Sequence, residues 1–128
     1  MRSDRGGLTI FVIGWVAVIA VIGVAATSVG SLLAAREQAY TAAEAAALAA
    51  AVATYPPAGP GSPVALAAEY AARNESRLVS CRCHIDLSIR RRTVTVTTVR
   101  DVQVPIFGLV TVRASARSEF DPGLWLGE

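Results

Sequence analysis

The chain has little of what nucleic-acid binding and metal binding require. It contains no lysine, one histidine and two cysteines among its 128 residues, and its twelve basic residues are all arginine. No segment shows the clustered cations interleaved with aromatic residues that are typical of nucleic-acid binding. Structural zinc sites usually have four ligands, whereas His84, Cys81 and Cys83 offer three at best, on opposite faces of a predicted strand. We therefore predict no nucleic-acid partner, no metal and no other cofactor.

Convergent polar groups for catalysis are also missing. His84, Asp86 and Ser88 occur in that order on one face of the predicted strand. Side chains two residues apart on a strand lie about 6.6–7 Å from each other and point in parallel directions. They cannot form the hydrogen-bonded series that a nucleophile needs. The sequence therefore predicts a protein that is not an enzyme and has no small-molecule substrate.

Charge is absent from residues 6–35, and most residues there are Leu, Ile, Val, Ala, Phe or Trp. This run of about 30 residues exceeds the roughly 18 to 20 that a helix needs to cross a bilayer. We predict a transmembrane helix at residues 8–33 after a cytoplasmic N-terminus at 1–7. Arg2 and Arg5 precede the helix, whereas Arg36 and Glu37 cancel after it. The positive-inside rule then predicts a single-pass protein of the cell membrane with its C-terminal domain extracellular.

Three interpretations of the N-terminus compete. A cleaved secretory signal has an apolar core of about 7 to 15 residues, which this chain exceeds. An uncleaved signal anchor is the second interpretation. The third is a prepilin-like leader cut after Gly6 or Gly7, which would leave the helix intact. Such leaders usually carry Glu five residues after the cut, where this chain has Phe11 or Val12.

The helix is predicted to continue beyond the membrane. Residues 31–55 contain no Pro or Gly and are rich in alanine, the strongest helix former. Pro56 and Pro57 then end the helix. We predict an exterior continuation of the helix at residues 34–55 and a Pro/Gly linker at 56–63. The whole helix would be roughly 70 Å long.

Small residues recur four apart along this helix, both inside and outside the predicted span. Such spacing lets backbones approach closely. We predict that the row packs against a partner helix or against the protein's own sheet. Its members are Ala26, Gly30, Ala34, Ala35, Ala39, Ala43, Ala47 and Ala51.

Residues 64–128 are predicted to form a small exterior α+β domain. Ser62 and Pro63 suit the N-cap and first turn of a short helix that ends near Asn74. Alternating apolar residues predict strands at 81–90, 93–100 and 109–117, with a turn at Arg91 and Arg92. Short connections favour an antiparallel meander covered on one side by helix. The predicted fold class is therefore α+β, with a long transmembrane helix, one short helix and a three-stranded antiparallel sheet.

Cys81 and Cys83 are either two buried thiols or part of a disulfide. Two residues apart in an extended strand, their Cα atoms lie near the upper limit for an intramolecular bridge, although a local bend would permit one. The predicted extracellular location allows oxidation, and an intermolecular bridge is another route. The sequence leaves these alternatives open.

Two surface clusters are also ambiguous. Arg90, Arg91 and Arg92 suit a charged turn, or a contact with anionic lipid or an acidic partner. The apolar residues near the C-terminus either dock onto the small domain or place a tryptophan at the membrane interface. These residues are Phe120, Leu124, Trp125 and Leu126.

Three segments resemble the TadE/TadG-like proteins of tight-adherence pilus systems. They are DRGGLTI at residues 4–10, AYTAAEAAALAAA at 39–51 and VRASAR at 112–117. The second is similar to the family's alanine-rich segment after the anchor, with Glu44 in place of Asp. The short actinobacterial-type branch is the most similar. Its relatives often carry a cysteine before the second helix, which residues 64–68 lack, so no family disulfide is implied here.

The resemblance implies a pilin-like, non-enzymatic protein of the cell membrane. Our leading hypothesis is a pseudopilin-like component of a tight-adherence pilus or related secretion system, assembling by helix packing with other pilus or secretion subunits. The alternative hypothesis is a single-pass, envelope-anchored binding module unrelated to pili. It would use the strand domain to recognise a protein or cell-wall ligand.

Overall fold

The computed structural model describes residues 5–127 and confirms the predicted α+β class. A long helix, a short helix and a three-stranded antiparallel sheet follow one another along the chain, and the sheet order is β1-β2-β3. Most of the predicted cytoplasmic N-terminus lies outside the described residues. The elements are α1 (Arg5–Ala53), α2 (Pro63–Arg73), β1 (Arg77–Arg82), β2 (Arg92–Val104), β3 (Gly108–Phe120) and α3 (Pro122–Trp125).

Helix α1 contains 49 residues, which corresponds to about 73 Å. It ends two residues before the predicted end at Tyr55. The Thr54 hydroxyl donates to the carbonyl of Ala51 at 2.5 Å, and Pro56 disfavours helical geometry for the residue before it. Local sequence signals therefore end α1.

The segment between α1 and α2 turns back onto the end of α1. A Cβ atom on Gly59 would lie 3.1 Å from Cγ1 of Val52, so glycine permits this close approach. Helix α2 begins as predicted, because the Ser62 side chain accepts a hydrogen bond from the Ala65 N–H at 3.4 Å and Pro63 opens the first turn. Asn74 caps its C-terminus.

Strands β2 and β3 form a long hairpin that is paired from Arg92 and Phe120 to Val104 and Gly108. The inner face of the hairpin covers α1. Its buried residues are Val94, Val96, Thr98 and Val104 from β2, and Ala114, Ala116 and Ser118 from β3. The outer face is rich in Thr, Ser and Arg and is at least partly exposed except at Val99, which is buried. The face of β3 that carries Ala114 and Ala116 is therefore the face that packs on the helix.

The core is made mainly of alanine from α1. Ala39 and Ala43 are 0 % exposed beneath the sheet. Because these side chains are small, β2 comes close enough for the Thr98 hydroxyl to donate to the Ala39 carbonyl at 2.9 Å. Close approach of the backbones, rather than large apolar side chains, holds the sheet on the helix.

Strand β2 runs along α1 in the opposite direction, and three hydrogen bonds mark its path. The Ser28 hydroxyl donates to the carbonyl of Pro105, just beyond the end of β2, at 3.3 Å. Thr98 bonds to Ala39 in the middle. At the start of β2, Arg92 donates to the Thr54 carbonyl at 3.3 Å. The hairpin therefore extends from the end of α1 down to the level of Ser28.

The prediction of a strand at 81–90 is wrong. Strand β1 lies further upstream, and residues 83–91 form an irregular segment. The guanidinium of Arg92 donates to the carbonyls of Asp86, Ser88 and Arg90. These bonds replace those of a sheet ladder. The apolar residues whose alternation led to that strand prediction, Ile85, Leu87 and Ile89, are exposed.

Ala43→Leu tests the alanine-based core. We expect this substitution to lower the free energy of unfolding by about 1–3 kcal/mol, because extra methylene groups would force the sheet away from the helix. Ala34→Leu is the matched control, since Ala34 is exposed on the same helix and should leave stability nearly unchanged. Thermal unfolding of the full chain in detergent, followed by circular dichroism, measures both. Equal losses in the two variants would contradict the proposed packing.

Candidate interaction surfaces

The largest exposed apolar surface is the first part of α1. Residues 6–27 are all exposed, including Phe11, Trp15 and Ile19, and Ser28 is the first buried residue. Within the described part of the chain, α1 is the one helix long and apolar enough to cross a membrane. Residues 8–27 span about 30 Å, the thickness of a bilayer's hydrocarbon core.

Hydroxyl groups at the end of this surface are paired within the helix. Thr27 donates to the carbonyls of Gly23 and Val24, and Ser31 donates to that of Thr27. The single hydroxyl hydrogen of Ser28 is shared between the carbonyl of Val24 at 2.8 Å and that of Pro105 at 3.3 Å. These hydroxyls therefore do not add unpaired donors to an apolar environment.

The predicted row of small residues is divided between two environments. Five alanines are buried in the protein's own core, and the other three members are exposed. The buried members, Ala35, Ala39, Ala43, Ala47 and Ala51, are therefore occupied by intramolecular packing. Only Ala26, Gly30 and Ala34 are free to meet another helix.

Cys81 and Cys83 are joined in a disulfide, with their Cα atoms 5.3 Å apart. Strand β1 ends at Arg82, and the chain bends there, which brings the two Cα atoms closer than in an extended strand. Cys83 packs against the core. Among residues 5–127, no group of three or more His, Cys, Asp or Glu side chains is arranged to hold a metal ion.

The His84, Asp86 and Ser88 side chains do not lie on a common strand face, because the strand predicted there is absent. Asp86 instead accepts hydrogen bonds from the N–H of Ser88 at 2.8 Å and from its hydroxyl at 2.9 Å. Asp and Ser thus bond to each other directly, without an intervening histidine. This arrangement stabilises a turn and does not have the order of a catalytic triad.

Two of the three consecutive arginines have intramolecular partners. Arg92 holds residues 86–90 and lies over the ring of Tyr55, with 5.8 Å from Cζ to the ring centroid. Arg91 lies 3.6 Å from the carboxylates of both Glu119 and Asp121. Arg92 therefore links the start of β2 to the residues that follow α1.

The C-terminal apolar residues lie at the end of β3 that is remote from Ser28. Phe120 packs against the core, whereas Leu124, Trp125 and Leu126 are exposed. Strand β3 has 13 residues, which separates its two ends by about 40 Å. Trp125 is therefore far from the level at which residues 8–27 would enter a membrane, which argues against its interfacial placement.

The fold and surfaces describe a small α+β domain held on one long helix whose first part is bare and apolar. Residues 6–53, nearly the whole of α1, match the model of a family described as "Putative Flp pilus-assembly TadE/G-like". The match confirms the resemblance predicted from the sequence, and the chain is similar to this family over its long helix. The description of that family refers to pilus assembly. Comparison with curated proteins gives no match, and comparison with solved structures gives none.

Sequence reasoning missed the contact between Ser28 and the β2–β3 turn. Nothing local to residue 28 or residue 105 indicates that these positions meet, because they are 77 residues apart. The sequence does carry a signal about the surroundings of the turn, although that signal does not identify Ser28 as its partner. Residues 102–112 contain no charged side chain, which is unusual for an exposed hairpin.

The Asp86 turn has an electrostatic consequence. Hydrogen bonds from the Ser88 backbone and hydroxyl, followed by the charges of Arg92 and Arg90, hold the pKa of Asp86 below its ordinary value of 3.8, although burial acts in the opposite direction. Because the pKa is lower in the folded than in the unfolded state, this contribution to stability is complete above about pH 4. It is lost as the pH falls through the lowered pKa.

Ser88→Ala tests this assignment. We expect the pKa of Asp86 to rise toward 3.8, because the hydroxyl donor is removed while the backbone N–H remains. Asp101 provides the control, since its pKa is lowered chiefly by the Thr111 hydroxyl and should not change. Carboxyl chemical shifts followed by NMR from neutral to acidic pH measure both. An Asp86 pKa that is the same in the two proteins would contradict the role of the hydroxyl.

Proposed function

We propose that this protein is a non-enzymatic, pseudopilin-like component of a tight-adherence pilus or a related secretion system. The observation that carries the proposal is the family match over the same helix that leaves residues 6–27 bare. A helix with one half buried in its own domain and the other half apolar and uncovered needs a bilayer or other subunits around it. Both environments are available to a pilus-assembly protein.

The proposed topology follows from charge and burial. Residues 8–27 cross the cell membrane once, Arg2 and Arg5 stay in the cytoplasm, and the domain folds on the outer side. Residues 28–33, predicted as part of the span, would lie at the outer interface, because the hairpin reaches them. Leader removal after Gly6 or Gly7 remains a prediction.

Assembly would use the exposed members of the small-residue row. Ala26, Gly30 and Ala34 lie four apart, and no side chain of the protein's own domain covers them. A Cβ atom at Gly30 would meet nothing within 4 Å, so a neighbouring helix can approach the backbone there. Small residues at this spacing favour close helix packing in membranes.

The alternative of an envelope-anchored binding module rests on the exposed apolar residues at the remote end of the domain, among them Leu87 and Trp125. The family match favours the pilus hypothesis. The two hypotheses differ in whether a deletion strain would lose pilus formation or secretion.

Gly30→Leu tests assembly through the row. We expect its crosslinking to other subunits of the system to fall about fivefold, which corresponds to about 1 kcal/mol of helix packing. Val29→Leu is the matched control, because Val29 is exposed on the next position and lies off the row. A photoreactive group at Leu33, which is exposed beside the row and is not a member of it, reports the contacts of each variant expressed in a deletion strain.

The same strains test the function itself. We expect deletion to abolish pilus formation or secretion by the associated system, and the wild-type and Val29→Leu proteins to restore it. Normal pili and normal secretion in the deletion strain, with the protein crosslinking to no subunit, would contradict the proposed function. That result would favour the binding module.

A further inference from the structure

The turn of the β2–β3 hairpin exposes a group of large apolar residues. Ile106, Phe107 and Leu109 are 82 %, 71 % and 68 % exposed. The hairpin itself is not loose at this end, because Val104 is only 1 % exposed and the Pro105 carbonyl accepts the hydrogen bond from Ser28. The structure therefore holds these apolar side chains in a fixed position beside α1.

Helix and hairpin change from apolar to charged at the same height. Along α1, the first charged residue after Ser28 is Arg36, about 12 Å further. Along β2, the charged residue nearest to Pro105 is Asp101, about 13 Å away. Arg113 is the corresponding residue on β3. Two elements distant in sequence thus share one boundary between an apolar and a charged zone.

A bilayer surface is the environment that produces such a common boundary. Residues 8–27 of α1 fill the thickness of the hydrocarbon core, so its upper edge falls close to Ser28 and to the hairpin turn. Exposed apolar side chains at that height would meet acyl chains and headgroups instead of water. Their burial there is favourable in proportion to the apolar area removed from water.

We propose that the hairpin turn inserts Ile106 and Phe107, with Leu109 beside them, into the bilayer leaflet nearest the folded domain. The turn is a second membrane contact, and it fixes the domain against the lipid surface. The proposal rests on residues 8–27 spanning the bilayer and does not depend on the identity of the pilus subunits.

A single helix alone would let the domain rotate and tilt freely above the membrane. A second contact, attached to the helix through Ser28 and offset from its axis, restricts that motion. Because the insertion is shallow, the polar groups of the turn remain near the headgroups, where they can be hydrated. The remote end of the domain is thereby directed away from the membrane.

Spin labels on introduced cysteines test the insertion. The full chain is reconstituted into vesicles of phosphatidylcholine and phosphatidylglycerol with its native disulfide intact, and each variant carries one label. Ile106→Cys and Phe107→Cys report the turn. Val18→Cys reports the helix span, and Arg117→Cys, on the same outer strand face as Leu109, reports the solvent-exposed sheet. Collisions with oxygen, which enters lipid, are compared with collisions with a water-soluble nickel chelate.

We expect the labels at 106 and 107 to show a severalfold higher ratio of oxygen to nickel collisions than the label at 117. The ratio should stay below that at 18, because the turn lies at the edge of the hydrocarbon core. Turn labels as accessible to nickel as the label at 117 would overturn the proposal while leaving the helix span intact. Turn labels shielded from both reagents and broadened by dipolar coupling would also overturn it, because a second copy would then cover the turn. A nickel-accessible label at 18 would overturn the span and the proposal together.

Discussion

The structure depends on the close packing of α1 alanines against the inner face of the sheet. Ala39 and Ala43 present so little side chain that the Thr98 hydroxyl reaches the helix backbone. A small domain has few large apolar residues to bury, so this close approach is its main source of cohesion. The same packing uses up five of the small residues that would otherwise be available to a partner helix.

This packing also divides α1 into two parts at Ser28. Beyond Ser28 the helix is a core element of the domain, and before it the helix is bare, apolar and long enough to cross a bilayer. The hairpin ends at the same level, and its uncharged turn continues the apolar zone sideways. The proposed roles in membrane anchoring, subunit contact and lipid insertion all follow from where the sheet stops along the helix.

Local signals were sufficient to predict α1, α2 and the long hairpin, whereas the short α3 was not predicted. Alanine content and the following prolines define α1, Ser62 and Pro63 start α2, and alternating Val and Thr predict β2. The prediction of a strand at 81–90 was wrong because apolar and polar residues alternate there in the same way as in a true strand. Hydrogen bonds from the Arg92 guanidinium determine the conformation of residues 83–91. The carbonyl of Thr54 accepts one of these bonds and also accepts a hydrogen bond from the N–H of Asp86. Contacts between distant segments, such as Ser28 with Pro105, leave no local pattern from which to predict them.

The most direct test of this account is the reactivity of single cysteines along α1 toward a membrane-impermeant maleimide, measured with the full chain in vesicles. Residues 8–27 should be unreactive in lipid, and Leu48, exposed on the outer part of the helix, should react rapidly. Ala43 and Ala47 should be unreactive until the domain is unfolded with urea. If cysteines at 43 and 47 react as fast as one at 48 before urea is added, the sheet does not cover the helix and the account is contradicted.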